Sequence, residues 1–448
     1  MALTVKQLNA DASFLLTFEP IVPESTPGIS PRPFRILMDP WITGPSTIFH
    51  SILSTTTHKE SPCVCSLEHL PEPDLVIISQ HKSDHCNEAT LRQLPPSGTR
   101  TLILAEPAAA KVIRGWKYFD KNKVHTIPRW EDPQTTGKQA VIRVKVPPFT
   151  PGGESGEVSV AFIPQRRDFK GLHAAIGITY RPPPTWPRFT HLLTPPRTPV
   201  SQPQGTQLSP SPIPGAARSK AEPAYISLPT PPETPSSTQS LHSINSATST
   251  PPPTDARDRA VSVIFSPHGI SYRCLHQYAA SHLAAEAALP LTALLHCFDT
   301  VSNPWWLGGN ISAGMPAGQE TASALGAKAW VSTHDGDKDV RGLVTRMLKT
   351  RKYARKEIAD VVSPFSNTSH RDNRFDREGS GNEGNGGGGK STEVLVLGVG
   401  EEVAMTREGV WNVEPRAGVF PPRKLPVAEK TLQGRARGRN LSPIVTRV

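Results

Sequence analysis

Long apolar runs are missing from this 448-residue chain: no stretch reaches the roughly 18 consecutive apolar residues that a membrane-spanning helix needs. Nor do the first residues, Met1-Ala-Leu-Thr-Val-Lys-Gln-Leu, show the charged start and apolar core of a secretory leader. The protein is therefore expected to be soluble and unexported, with no membrane partner. Cysteine is scarce, five in all, odd in number and scattered, with Cys63 and Cys65 too close to form an ordinary pair. That excludes a disulfide framework and makes an intracellular location, cytoplasmic or nuclear, the expectation. Aromatic residues make up only 6%, which bears on the positive charge. From Pro415 to Val448 there are eight Lys or Arg and one acid, a net +7 that carries most of the formal +10. That stretch has almost none of the interleaved rings on which bases stack, so nucleic acid is not an expected partner.

Proline and glycine are plentiful, 48 and 33 residues, and unevenly spread. Between Arg181 and Arg259 lie 19 of the prolines, with many Ser and Thr and hardly any periodic apolar content. Such a segment buries too little surface to offset the entropy of ordering it. The expected organisation is one large domain with additions. Residues 1–180 form its first part, 181–259 a disordered Pro/Ser/Thr-rich insertion, and 260–364 its second part. A Gly/Asn/Ser-rich linker follows over 365–391, then a terminal strand region over 392–414 and a basic flexible tail over 415–448. Within the insertion Thr194-Pro, Ser209-Pro, Thr230-Pro and similar dipeptides fit proline-directed kinases or proline-reading modules as partners.

The stretch Leu75-Val-Ile-Ile-Ser-Gln-His-Lys-Ser-Asp-His-Cys-Asn-Glu88 carries the chemistry. It opens as a buried β-branched strand and breaks into a polar loop holding His81, Asp84 and His85. Adjacent Asp and His can offer a carboxylate oxygen and an imidazole nitrogen to one cation at about 2.0–2.2 Å. Asp84 also reads as the N-cap of a helix through Asn87 to Leu94, a role compatible with the first.

Further along, Phe34 to Asp39 reads as a strand ending at an Asp-Pro corner, Asp39 being a structural hydrogen-bonding residue rather than a ligand. Ala140 to Val146 and Val158 to Ile163 read as a hairpin. His173 precedes a small β-rich strand, His268 follows the strand Val261 to Phe265, and His334 ends the strand beginning at Ala327. His296 belongs to the packed face of a strand. Trp305 and Trp306, beside glycines, either wall a substrate pocket or cover the open end of the core. A basic amphipathic helix is expected from Val340 to about Val362, with its charged face solvated.

The stretch through Asp84-His85 resembles the His-x-His-x-Asp-His signature of the metallo-β-lactamase superfamily in degenerate form, Gln80 and Lys82 standing where the signature has its first two histidines. The positions of His173 and His334 are similar to ligand positions of its lactonase-like branch, and His268 stands where a metal-bridging aspartate is usual. The resemblance covers roughly Thr4 to Tyr180 and Val261 to Val362. It implies an αββα metallo-β-lactamase-like sandwich of two mixed sheets with helices outside. It also implies a metal site drawn from Asp84, His85, His173, His268 and His334, Asp84 alternatively orienting the attacking water. The implied activity is a metal-dependent hydrolase in which metal-activated water attacks an ester, lactone, amide or phosphoester of an unknown small molecule. Zinc is the expected ion, with manganese or iron as alternatives. One ion is favoured over two because an imidazole at 268 cannot bridge and the Lys82 ammonium opposes a second cation. The alternative is a protein of the same fold that has lost turnover and serves as a binding or scaffolding module.

Overall fold

A computed structural model of the chain describes residues 1–21, 32–47, 54–138, 140–149, 151–166, 168, 170–184, 225–226, 228, 260–307, 309–342, 344–363 and 391–411. Two eight-stranded mixed sheets lie face to face. The first runs, in spatial order, Gly409–Val410, Glu402–Thr406, Ala2–Gln7, Phe14–Glu19, Phe34–Met38, Leu75–Ile78, Leu102–Ala105 and Val124–Thr126. The second runs Tyr225–Ile226, Ile142–Val146, Gly156–Pro164, Ala174–Arg181, Val261–Ser266, Ala293–His296, Ala329–Ser332 and Glu393–Leu395.

The apolar pattern dictates this layering. In Leu75–Ile78 all four residues are buried, because the strand is flanked on both edges by parallel neighbours and covered on both faces. Leu75 and Ile77 join the core between the sheets. Val76 and Ile78 face outward, in the same cluster as Ala109, Ala110 and Ile113 of the helix Pro107–Gly115. Across the sandwich Phe18 stacks on Tyr180 with ring centroids 4.5 Å apart, a pair that holds the sheets in register at one end. The outer face of the second sheet is covered by the helices Tyr272–Tyr278, Gly314–Leu325 and Arg355–Val362. Gly177 is required here, since a Cβ on it would overlap the Tyr278 ring. The architecture is the αββα sandwich expected from the sequence.

Four local expectations change. The helix expected from Val340 to Val362 is instead a strand Lys338–Arg341, a single 3-10 turn Val344–Met347, a strand Lys349–Arg351 and a shorter helix Arg355–Val362. Gly342 has φ +135°, which breaks the pattern, and the two strands find partners elsewhere, Lys338–Arg341 against Thr55–His58 and Lys349–Arg351 against Thr300–Ser302. Asp84 is not an N-cap. Asn87 is, accepting the Thr90 N–H at 2.9 Å, and the helix shrinks to Glu88–Leu91. The terminal strand region supplies both sheets, Glu393–Leu395 beside Ala329–Ser332 and Glu402–Thr406 beside Ala2–Gln7. Of the stretch expected as a disordered insertion, Tyr225–Ile226 pairs in parallel with Ile142–Val146, and Ile226 and Leu228 pack on the core. The rest beyond residue 184, the Gly-rich linker and the basic tail lie outside the described residues.

Candidate metal centre

Several loops converge at one edge of the sandwich, the edge where Phe34–Met38, Leu75–Ile78, Val261–Ser266 and Ala329–Ser332 end. Ends of neighbouring strands in a mixed α/β sheet gather side chains from distant parts of the sequence. Here they gather three histidines. His85 follows the first-sheet strand Leu75–Ile78, His268 follows Val261–Ser266 of the second sheet, and His334 follows Ala329–Ser332. One ring nitrogen from each lies within 4.8 Å of the others. The ring centroids of His85 are 5.2 Å from those of both His268 and His334, which are 4.3 Å from each other. His85 and His268 are 0% and 4% exposed.

Each ring is oriented through its other nitrogen. His85 Nδ1–H donates to Asp39 Oδ2 at 2.7 Å, His334 Nδ1–H donates to Asp11 Oδ1 at 2.6 Å, and His268 Nδ1–H donates to the Ile311 carbonyl at 3.1 Å. With Nδ1 committed in all three rings, the Nε2 atoms are the ones left to meet, and those of His85 and His268 stand 3.2 Å apart. Asp39 is itself fixed, accepting the Ser79 N–H at 2.7 Å and the Ser79 hydroxyl. Asp11 Oδ1 also accepts from Lys338 Nζ at 2.6 Å, which brings that ammonium 3.2 Å from His334 Nδ1. Asp39 at φ +39° and His334 at φ +66° occupy a backbone region that costs a non-glycine residue on the order of 1 kcal/mol or more. Lys117 and Ala287 share that region elsewhere in the fold, and the other two of the four such non-glycine residues among those described belong to the cluster.

The electrostatics separate the rings. Burial lowers the pKa of His85, but the charges of Asp84 and Asp39 outweigh it and raise it to about 9. Burial, with His334 and His85 alongside, holds His268 well below the ordinary imidazole range. Burial, with the Lys338 ammonium assisting it, also lowers His334 despite Asp11. Asp11 is pushed up by burial yet driven far down by His334 and Lys338. Without a cation, one proton on His85 Nε2 satisfies the facing lone pair of His268. A cation bound there would take that proton's place.

The donor set fits a divalent transition metal. Two nitrogens 3.2 Å apart could both be reached by one zinc ion at its usual bond length of about 2.0–2.1 Å, and carboxylate–histidine pairs of the Asp39–His85 kind fix tautomer and raise ligand basicity. A buried oxygen, Asp84 Oδ1, accepts no hydrogen bond among the described residues, although Asp84 adjoins His85. The structure does not bring Asp84 or His173 into the nitrogen group. His173 instead donates from Nδ1 to the Gly269 carbonyl at 2.9 Å, with Nε2 3.4 Å from the Asn310 carbonyl. Gln80 bridges to the same segment, donating Nε2–H to the Leu172 carbonyl at 2.7 Å. Asp39 has the structural, hydrogen-bonding part foreseen for it. Asp11, Lys338 and the Ile311 carbonyl were not foreseen.

Residues 25–173 match the Beta-lactamase superfamily domain, a span that includes Asp39 and His85, and the two-sheet sandwich with outer helices agrees with it. The fold is that of the metallo-β-lactamases. No curated protein matches the chain. Among solved structures, Igni18, a novel metallo hydrolase from the hyperthermophilic archaeon Ignicoccus hospitalis, is similar at a TM-score of 0.39 and 11% identity, over 90% of this chain and 98% of that one. The metallo-beta-lactamase fold protein YhfI from Bacillus subtilis is similar at a TM-score of 0.36 and 10% identity, over 90% of this chain and 100% of its own. In this metallo-β-lactamase fold the histidine cluster sits at the sheet edge, and two of its members, His268 and His334, lie beyond the matched span.

Proposed function

We propose that the protein is a metal-dependent hydrolase of the metallo-β-lactamase superfamily, with a single zinc ion held by His85, His268 and His334. The observation that carries this reading is the triad itself, one ring nitrogen of each histidine within 4.8 Å of the others while each Nδ1 is tied to a carboxylate or carbonyl. A divalent cation there supplies Lewis-acid polarisation of an ester, lactone, amide or phosphoester oxygen and lowers the pKa of water toward about 7. Manganese or iron would serve the same donors less typically than zinc. Asp39 and Asp11 hold the rings and balance their charge. Asp84 Oδ1, buried and without a donor among the described residues, orients the attacking water and accepts its proton. One ion is favoured because Gln80 and Lys82 occupy the places of two further histidines, and His173 is spent on backbone carbonyls. The place of His173 just before the glycine-bearing strand Ala174–Arg181 supports the lactonase-like branch.

The test is metal content by elemental mass spectrometry on the full chain and on the His85→Ala, His334→Ala double variant, read beside thermal melting with and without added zinc. One equivalent in the parent, lost in the variant, and a zinc-dependent rise in melting temperature confined to the parent are expected. Two equivalents would overturn the single-ion site. No metal and no zinc effect on the parent would overturn the hydrolase reading.

A further inference from the structure

The loop that borders the triad carries a surface that the hydrolytic chemistry does not use. After the strand Thr300–Ser302 the chain makes a 3-10 turn at Trp305–Leu307 and returns as the strand Asn310–Ser312. The turn is tight, Gly309 N–H donating to the Pro304 carbonyl at 3.0 Å and Asn303 N–H to the Gly309 carbonyl at 2.8 Å. The returning strand supplies the Ile311 carbonyl that orients His268 and the Asn310 carbonyl beside His173. The tip is thus anchored at the rim of the candidate centre, yet Trp305 is 87% and Trp306 61% exposed. Two adjacent indoles facing water cost free energy that a folded protein ordinarily recovers against a partner.

A second turn meets the first. The strand Lys349–Arg351 pairs antiparallel with Thr300–Ser302, Ser302 opposite Lys349, so the turn Val344–Met347 leaves the small sheet at the same end as the tryptophan turn. Met347 is 47% exposed there, and Lys349, Thr350 and Arg351 are all exposed. No acidic residue occurs from Arg341 to Lys356. The carboxylates around it are held in exposed pairs, Asp339 with Arg341 at 2.7 Å, Asp337 with Lys352 at 2.7 Å and Glu357 with Arg351 at 3.9 Å, and such pairs exchange readily for other anions.

We infer that the Trp305–Trp306 turn, with Met347 and the Lys349–Arg351 strand, is a docking surface for an anionic lipid membrane, the indoles entering the headgroup boundary and the cations meeting acidic headgroups. Indole rings prefer that boundary because one edge is apolar and the N–H stays wet, and a basic border adds attraction that falls away within a Debye length. Charge complementarity selects an anionic lipid over an apolar protein face, which offers no anion to Lys349 or to Arg351 beyond its exposed pair with Glu357. The contact is peripheral and revises the expectation of no membrane partner without requiring a span. Resting on the hydrolase reading, it places the triad at a headgroup surface and makes an amphiphile with a hydrolysable bond near its polar end the substrate class.

The experiment is co-sedimentation of the full chain with vesicles of phosphatidylcholine alone and of phosphatidylcholine with one quarter phosphatidylglycerol. Strong pelleting only with the anionic vesicles is expected. The bound fraction should fall about tenfold in Trp305→Ala, Trp306→Ala and by a similar factor in Lys349→Glu, Arg351→Glu, while Trp305→Phe, Trp306→Phe keeps most of it. Matching melting temperatures certify the folds. Binding that all variants retain would assign the effect to the basic residues after Pro415 and overturn the proposal, as would no pelleting by the parent. Equal pelleting with both vesicle types would overturn the anionic lipid as the occupant. The assay needs neither metal nor turnover, so its failure leaves the hydrolase reading standing.

Discussion

Replacing Asp39 or Asp11 by asparagine keeps the volume and removes the charge that faces an imidazole N–H in the triad. Each change is expected to weaken zinc binding by about 10–100-fold, read by competition with 4-(2-pyridylazo)resorcinol. Unchanged affinity would mean that the two carboxylates only fill space. Asparagine is preferred to alanine at 39 because its side-chain oxygen still accepts the Ser79 N–H. A second effect at this scale concerns two buried histidines away from the cluster. His282, 3.0 Å from Ser159 Oγ, and His296 are both held down by burial to about 4, against 6.5 in an open chain. Between pH 6.5 and 4 the unfolded chain takes up protons that the native protein refuses. Stability is therefore full above 6.5 and falls as the pH drops, by on the order of 3 kcal/mol per ring at the lower end. Urea midpoints at pH 7 and pH 5 measure it, and His282→Gln is expected to make the fall shallower.

Among elements, the strand Glu402–Thr406 closes the first sheet against Ala2–Gln7, with Met405 opposite Leu3 and fully buried. Met405→Ala should cost about 2–5 kcal/mol, read as a lower denaturant midpoint with unchanged slope. A loss below 0.5 kcal/mol or so would show that this strand is only draped on the edge. The same strand shows what the sequence makes legible. Leu75–Ile78 and Val261–Ser266 announce themselves because burial on both faces demands unbroken apolar β-branched runs, and His85, His268 and His334 stand out because each follows such a run. Glu402–Thr406 alternates weakly, and its partner lies at the other end of the chain. Asp11 and Lys338 meet across 327 residues, and the Ile311 acceptor is backbone, which no side-chain pattern marks. The helical spacing read across Val340 to Val362 failed because strand partners in Thr55–His58 and Thr300–Ser302 outweighed local preference.

At the scale of the molecule, the cluster is possible only because both sheets are complete: His85 comes from the first, His268 and His334 from the second, and Asp11 from a hairpin of the first. Loss of packing between the layers should therefore loosen the triad before it unfolds either sheet. The pairing of Leu3 with Met405 has a further consequence during synthesis. Glu402–Thr406 is synthesised long after Ala2–Gln7, so the nascent chain carries an open β-edge while everything between the two strands is made, a template for pairing with other chains. Closing a loop of that length adds little entropy beyond that of a shorter one. The delay is one of time, and the growing chain needs protection at that edge until Glu402–Thr406 has been made.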